Sequence, residues 1–195
     1  MANRVGKVAR RYETLKPARF TITMADGQEE IRIGARRNWL IIPFLLLWLL
    51  AWSGGGVAAI VALSRTGDPF LIGWLAFWFV AWLFAAITLA WQVAGAEIIR
   101  VEGSDLAIGW SLPGLRRTHW YRGADIRNLA AVSAADPFGW IYSAYPPFLT
   151  WRKMGSIKFN YGARTVRAAA ALDEAEGRMV VDHLRKRLPA RAFET

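Results

Sequence analysis

The chain has 195 residues, of which 54% are hydrophobic and 21% charged, and its formal net charge is +10. It contains no cysteine and only two histidines, which excludes disulfides, cysteine-ligated metals and thiol catalysis and nearly excludes a multi-histidine metal centre. Charged and hydrophobic residues are segregated along the chain, so an ordinary soluble protein is excluded as well.

The N-terminal region is basic and is followed by a pattern typical of two short strands. Residues 1–18 are predicted to form a basic cytoplasmic tail, and residues 19–37 a β-hairpin. Hydrophobic residues alternate with threonines from Phe20 to Met24, and Asp26-Gly27 provides a turn. Because an isolated two-stranded hairpin is marginal in water, we expect this ribbon to join a larger sheet.

Residues 38–96 are predicted to form a transmembrane helical hairpin. Two runs, 40–63 and 70–96, contain no charged residue. As helices they would be roughly 36 and 40 Å long, enough to cross about 30 Å of hydrocarbon. The connection between them, Ser64 to Pro69, is short and rich in turn-forming residues.

The basic residues predict the orientation of this hairpin. Nine lysines and arginines precede Trp39, one (Arg65) lies between the two runs, and fifteen follow Ala96. An excess on both flanks indicates that both termini are cytoplasmic in a two-pass membrane protein. The runs carry no ionisable group, which favours an anchor or assembly surface over a transport pathway.

Tryptophans form a stripe on the second predicted helix. Trp74, Trp78 and Trp82 are four residues apart, and Trp82 lies roughly 18 Å from the start of its run, where lipid offers no partner to an indole N–H. The stripe could face the first helix near Gly54 and Gly55, since glycines allow close approach. One glycine notch hardly accommodates three indoles, so part of this surface is predicted to dock onto transmembrane helices of another subunit. The predicted partner-binding residues are Trp48, Trp52, Trp74, Trp78 and Trp82.

After Ala96 the chain changes to short strands and then to one helix. Six strands are predicted, at 97–102, 106–112, 115–121, 126–132, 156–161 and 164–169, with turn residues between most of them. From Leu172 to Leu188 hydrophobic residues follow a helical period, and Asp173 with Glu176 resembles a capping box. The predicted fold class is therefore an α+β membrane protein, in which an antiparallel β-roll over 97–189 is closed by a C-terminal helix.

The loop 133–154 contains six aromatic residues and three prolines without clean periodicity. Loops this long are uncommon in small domains and are often functional. Two interpretations stay open: the loop folds over its own roll, or it lies in the membrane interface or docks a partner. The residues predicted to form the partner or membrane surface are Phe138, Trp140, Tyr142, Tyr145, Phe148 and Trp151.

The remaining predictions concern lipid, nucleic acid and chemistry. The positive charge is explained most simply by binding to anionic phospholipids of the inner leaflet, so nucleic acid is not expected as a partner. The predicted headgroup contacts are Arg36, Arg37, Arg116, Arg117, Arg152 and Lys153. No nucleophile, metalloprotease or phosphate-loop motif is present, so we predict no catalytic residue, no metal and no cofactor. His119 is expected on a strand surface and His183 as a partly buried packing residue.

Five parts of the chain carry a resemblance to a known family: Gly95–Val101, Leu112–Arg117, Asp125–Leu129, Lys158–Gly162 with Arg164–Arg167, and Leu172–Glu176. Together they resemble the bacterial pleckstrin-homology-like membrane proteins, which implies a location in the bacterial inner membrane. The resemblance covers about Gly95 to Leu188, together with the arrangement of the two-helix hairpin. It implies a seven-stranded roll with one helix and a membrane-associated role, but no activity.

The expected function is a non-enzymatic accessory or assembly subunit that binds a larger integral membrane protein complex through the hairpin and the roll. Two alternatives remain. One is an anionic-lipid-binding or membrane-sensing module, and the other is a small-molecule-binding enzyme or carrier that uses the roll as a pocket.

Overall fold

The computed structural model describes residues 18–25, 27–133, 145–146 and 155–194. These residues form eight strands and three helices of more than one turn. The elements in chain order are β1 (Phe20–Ala25), β2 (Gln28–Gly34), α1 (Ile41–Thr66), α2 (Pro69–Ala94), β3 (Ala96–Glu102), β4 (Asp105–Leu112), β5 (Leu115–Tyr121), β6 (Ile126–Ala131), β7 (Ile157–Tyr161), β8 (Arg164–Ala168) and α3 (Glu174–Arg185). Short 3-10 turns lie at Gly123–Asp125 and Ala190–Phe193.

The first five strands form one antiparallel sheet in the order β1-β2-β3-β4-β5. The ribbon β1–β2 belongs to this sheet, because β2 pairs with β3 from Glu30–Arg100 to Gly34–Ala96. Gly27 has a φ of +75° in the β1–β2 turn, a conformation that glycine adopts without steric cost. The helices α1 and α2 are therefore inserted between two strands that are neighbours in the sheet.

The last three strands form a second antiparallel sheet, β6-β7-β8. One hydrophobic core lies between the two sheets and α3, and the fully buried Ile33, Ile126, Phe159 and Val180 belong to it. Every second residue of β2 and β3, including Ile31, Ile33 and Ile99, faces this core, and Ile98 on the opposite face is buried as well. The predicted α+β architecture with antiparallel sheets is confirmed.

The start of α3 carries the capping box that the sequence predicted. The Asp173 carboxylate accepts a hydrogen bond from the Glu176 backbone N–H (2.9 Å), and the Glu176 carboxylate accepts one from the Asp173 N–H (3.0 Å). Such a cap is worth about 1 kcal/mol. The other oxygen of Glu176 accepts from the Arg19 N–H (2.9 Å), so the same residue also holds the segment that leads into β1.

The helices α1 and α2 have 26 residues each and are long and apolar enough to cross a membrane. Their bounds differ from the predicted ones. The first helix continues to Thr66, where the left-handed Gly67 ends it, and the second begins at Pro69 after the Asp68 cap. The second also ends earlier than predicted, at Ala94, because Gly95 is extended and Ala96 already pairs within the sheet.

Candidate functional site at the helix–sheet junction

The chain passes between the sheet and the helices twice, and the two passages lie side by side. Between α2 and β3 there is one residue, Gly95. The N–H of Ala35, just after β2, donates to the Gly95 carbonyl (3.0 Å) and extends the β2–β3 pairing to the end of α2. The connection from α2 to β3 therefore contains no flexible linker.

Asn38 joins the start of α1 to the end of α2. Its side-chain oxygen accepts from the N–H groups of Leu40 (3.0 Å) and Ile41 (3.3 Å), which satisfies donors at the helix N-terminus. Its own N–H donates to the side-chain oxygen of Gln92 (3.0 Å), which is 0% exposed. Gln92 therefore links the end of α2 to the start of α1.

Arg36 and Arg37, two predicted headgroup contacts, lie at this junction. Both are exposed, and they border a surface depression of about 310 Å³ with Asn38, Trp39 and Leu40. The Arg37 guanidinium donates to the Val93 carbonyl (3.2 Å) at the C-terminal end of α2, where a cation is favoured by the helix dipole. A positive charge is thereby held at the point where both helices meet the sheet.

The tryptophan stripe packs largely within the hairpin. The Trp82 indole N–H donates to the Ser53 hydroxyl on α1 (2.9 Å), so the premise that it lacks a partner at this depth is wrong. The Trp78 ring lies against Gly56, where an added Cβ would come within 2.4 Å of the ring. The glycine contact lies one to two residues beyond the predicted Gly54 and Gly55, and α1 accommodates two of the three indoles.

Three tryptophans form a stack across the two helices. The ring centroids of Trp48 and Trp52 are 4.4 Å apart, and those of Trp52 and Trp78 are 6.2 Å apart. The Trp52 indole N–H is buried and has no hydrogen-bond partner in the described part of the chain. The stack contains three of the five predicted partner-binding residues. Trp82 contacts α1 separately through Ser53, and Trp74 is 38% exposed and has no ring contact with the stack among the described contacts.

A matched pair of substitutions tests this packing. Trp82→Phe is expected to lower the free energy of unfolding of the hairpin by about 1 kcal/mol because it removes the hydrogen bond to Ser53. Trp52→Phe removes an N–H that has no such bond and is expected to cost less. Thermal unfolding in mild detergent, extended to a double-mutant cycle with Ser53→Ala, measures the difference. Zero coupling between positions 82 and 53 would contradict the assignment.

Strand register places Arg116 and Arg117 at the helix-proximal end of the sheet. Arg116 pairs with Ser111, Ser111 with Ala96, and Ala96 with Gly34, the last residue of β2. The adjoining β4–β5 turn exposes Leu115. Arg116 and Arg117 are both exposed. Two of the six predicted headgroup residues therefore lie at the end of the sheet nearest the helices.

Arg116 is also held by an ion pair that the sequence did not predict. Its guanidinium donates to the Glu30 carboxylate (2.6 Å), which is buried and lies 3.9 Å from the Nε of Arg100. In a flat sheet the positions of Glu30 and Arg116 would lie roughly 20 Å apart, three strand spacings across and four residues along. The contact therefore shows that the five-stranded sheet is strongly coiled.

The aromatic loop touches the helices at the one point that the structure describes. The Tyr145 ring lies 6.0 Å from the Phe84 ring on α2, and Pro146 is fully buried. Phe84 lies ten residues, or about 15 Å, before the end of α2. Tyr145 therefore contacts the middle part of α2 and not the end that adjoins the sheet. The other predicted residues of this surface, Phe138, Trp140, Tyr142, Phe148, Trp151, Arg152 and Lys153, fall outside the described residues, as does the tail 1–17.

An apolar groove of about 630 Å³ runs between α1 and α2. One face of each helix lines it, and Tyr145 closes one side. The lining residues are Ile41, Phe44, Leu45 and Trp48 from α1, and Phe77, Val80, Ala81, Phe84, Ala85 and Thr88 from α2. Sequence analysis did not identify this groove, because its shape depends on the rotation of the two helices about their axes.

Sequence analysis also missed a buried carboxylate, Glu97. It occupies an inward-facing position of β3, and its oxygens accept from the N–H groups of Ala169 (2.7 Å) and Ala170 (3.2 Å) between β8 and α3. An acid in the otherwise apolar start of β3 was the available signal. Its partners are backbone groups, which a residue pattern does not reveal.

The two histidines occupy structural positions. His183 on α3 lies 3.1 Å from the carboxylate of Glu29 on β2, which also contacts Arg187, so this half-buried residue fastens α3 to the sheet. His119 on β5 pairs with the buried Ile108 on β4. It is half-buried and does not lie on the exposed face of the strand, where it was expected. Within the described ranges no group of three or more potential ligands could hold a metal ion.

Comparison of the chain with protein-family models, curated proteins and solved structures finds no match.

Proposed function

We propose that the protein is a non-enzymatic, two-pass integral protein of the bacterial inner membrane, with both termini in the cytoplasm. In this proposal it is an accessory or assembly subunit whose hairpin and pleckstrin-homology-like β-domain bind a larger membrane protein complex. Support comes from two apolar 26-residue helices, the excess of basic residues on both flanks, and antiparallel sheets that pack against a C-terminal helix.

The observation that carries the subunit role is an exposed sheet edge on a rigidly attached domain. Of the described strands, β1 has a neighbour on one side only, β2. It carries no charged residue, and Ile22 and Met24 are 42% and 72% exposed. Proteins commonly protect such edges with charges, prolines or bulges, because an open edge accepts a further strand.

The junction determines how this edge is presented. A domain that needs only to stay near a membrane can be attached through flexible linkers. Here Ala35, Asn38 and Arg37 bond to the last residues of α2, so the sheet keeps one orientation relative to the helices. A fixed orientation is useful for docking against one surface of a partner that lies in the same membrane.

Replacing Met24 by lysine tests the role of the β1 edge. The substitution places a charge on the open edge, and we expect recovery of the partner complex in mild detergent to fall at least about tenfold, or about 1.4 kcal/mol. Met179→Lys is the matched control, because Met179 is a 56% exposed methionine on α3, so the same charge is placed on a helix and not on a sheet edge. Equal recovery with both variants, or a wild-type protein that runs alone in native membranes, would contradict the subunit role.

A second candidate, an anionic-lipid-binding module, is favoured by the position of the β4–β5 turn. Leu115 and Arg117 are exposed at the helix-proximal end of the sheet, where a membrane surface would lie. In that case Met24→Lys is expected to leave vesicle binding unchanged. Arg117→Gln is expected to reduce binding of the protein to vesicles that contain phosphatidylglycerol. The two variants thus separate the two functions.

A further inference from the structure

We propose that the groove between α1 and α2 binds one acyl chain of an anionic phospholipid, whose phosphate lies beside Arg36 and Arg37. The inference rests on the proposed membrane insertion, but it does not depend on the accessory role. It assigns a ligand to the one end of the hairpin where an apolar trough and exposed guanidinium groups occur together.

The dimensions of the groove suit a single hydrocarbon chain. Among the lining residues, Phe77 on α2 is nearest to the α1–α2 turn and Ile41 on α1 is farthest from it. At 1.5 Å per residue, their distances from the turn differ by about 25 Å, which is the length of the groove. The groove is a half-open trough of about 630 Å³ along this length. A hydrocarbon chain that lies in it would contact apolar side chains from both helices, and burial of hydrocarbon against them is favourable.

The walls of the groove are apolar and its floor on α2 is small. The small Ala81 and Ala85 line the groove next to the larger Phe77 and Phe84, which produces a trough along α2. Phe77 is 74% exposed and Phe84 45% exposed, so both rings stand clear of the protein core. The one hydroxyl among the helix residues that line the groove, on Thr88, donates to the Phe84 carbonyl (2.8 Å), so this hydroxyl hydrogen is already engaged within α2.

The charge at the end of the groove selects an anionic headgroup. Ile41 lines the groove one helical turn after Arg37, whose guanidinium reaches the Val93 carbonyl on α2. That bond uses one of five N–H donors, and a guanidinium binds phosphate oxygens in pairs. From Ile31 to Gly67 and from Pro69 to Ala96 the chain has no Asp or Glu, so no carboxylate on the helices competes for these arginines.

Tyr145 lies on the side wall of the trough, beside Phe84. At this position, about 15 Å from the end of α2, the Tyr145 ring would contact part of the bound chain.

Retained lipid is measured by native mass spectrometry of the full chain. The protein is reconstituted into vesicles of equal phosphatidylglycerol and phosphatidylcholine content and extracted in mild detergent. We expect one retained phospholipid, with about a tenfold preference for phosphatidylglycerol. Ala81→Phe, which fills the trough, is expected to reduce retention at least fivefold. Ala76→Phe is the control, because Ala76 is exposed on the same helix and does not line the groove.

A second pair of variants leaves the lining of the groove unchanged. Arg36→Gln with Arg37→Gln is expected to abolish the preference for phosphatidylglycerol, while Arg65→Gln, at the opposite end of the hairpin, retains it. A preference that survives the double substitution overturns the headgroup assignment. Retention unchanged by Ala81→Phe, or a co-purified polypeptide in place of lipid, overturns the groove assignment.

Failure of the membrane proposal itself is distinguishable from failure of this inference. Resistance to carbonate extraction, together with a periplasmic reporter signal from a fusion at Arg65, measures insertion independently of lipid retention. An inserted protein that retains no phosphatidylglycerol rejects the lipid site alone. A protein that is extracted by carbonate rejects the two-pass arrangement on which the site rests.

Discussion

Replacing Gly95 by alanine is expected to lower the thermal midpoint of the protein by about 6 °C. The added Cβ would lie 2.4 Å from the Trp91 ring and 2.6 Å from the Trp91 carbonyl, and Trp91 is buried, so the ring cannot move aside into solvent. Overpacking of this kind costs about 2 kcal/mol, and in a chain of this length 1 kcal/mol shifts the midpoint by about 3 °C. Gly95 has a φ of −70°, which alanine adopts readily, so the effect is steric.

Gly34→Ala is the matched control for this substitution. Gly34 ends the neighbouring strand, opposite Ala96, and nothing lies within 4 Å of the position that an alanine methyl group would occupy there. Its replacement is expected to leave the midpoint unchanged or raise it slightly, because alanine restricts the unfolded chain. Equal midpoints for the two variants, measured by scanning fluorimetry in the same detergent, would show that Trp91 does not hold the junction as described.

Glu97→Gln is expected to destabilise the β-domain by about 2 kcal/mol. The carboxylate of Glu97 accepts from two backbone N–H groups, those of Ala169 and Ala170. An amide has one oxygen and one NH₂ group, so one of these buried donors loses its acceptor, and an unsatisfied donor costs about 1–3 kcal/mol. Ala169 has a φ of +64°, and this turn is therefore expected to open first.

The control is Glu102→Gln at the exposed end of the same strand. It removes the same charge from β3 without affecting a described hydrogen bond, and a negligible change is expected. Hydrogen exchange at the amides of Ala169 and Ala170 localises the effect of Glu97→Gln. Unchanged protection of these two amides would contradict the role assigned to the carboxylate.

Much of the strand order could be predicted because its signals are local. Gly27, Gly103 and Gly114 occupy left-handed turn positions, and each marks the end of one strand and the start of the next. The strands after Ala96 therefore begin and end within one residue of their predicted bounds. The start of α3 was predictable for the same reason, since its capping residues are three positions apart.

Contacts between distant segments could not be predicted. The spacing of Trp74, Trp78 and Trp82 identifies a stripe, but not the direction in which the stripe faces, and α1 accepts Trp78 and Trp82. The ion pair of Glu30 with Arg116 depends on the coiling of the whole sheet. The groove between the helices and the buried Glu97 likewise follow from three-dimensional packing, which periodicity does not encode.

Because α1 and α2 are inserted between two paired strands, the pairing of β2 with β3 requires the two outer ends of the helical hairpin to lie on the same side. β2 is synthesised before the helices and β3 after them, and the two can pair only when both lie on the same side of any barrier that the helices cross. A chain in which one helix failed to cross would keep β2 and β3 apart. It would leave the core of the five-stranded sheet incomplete, with Ile33 and Ile99 uncovered. Such a chain would expose apolar surface to quality-control proteases, so only correctly threaded molecules would persist.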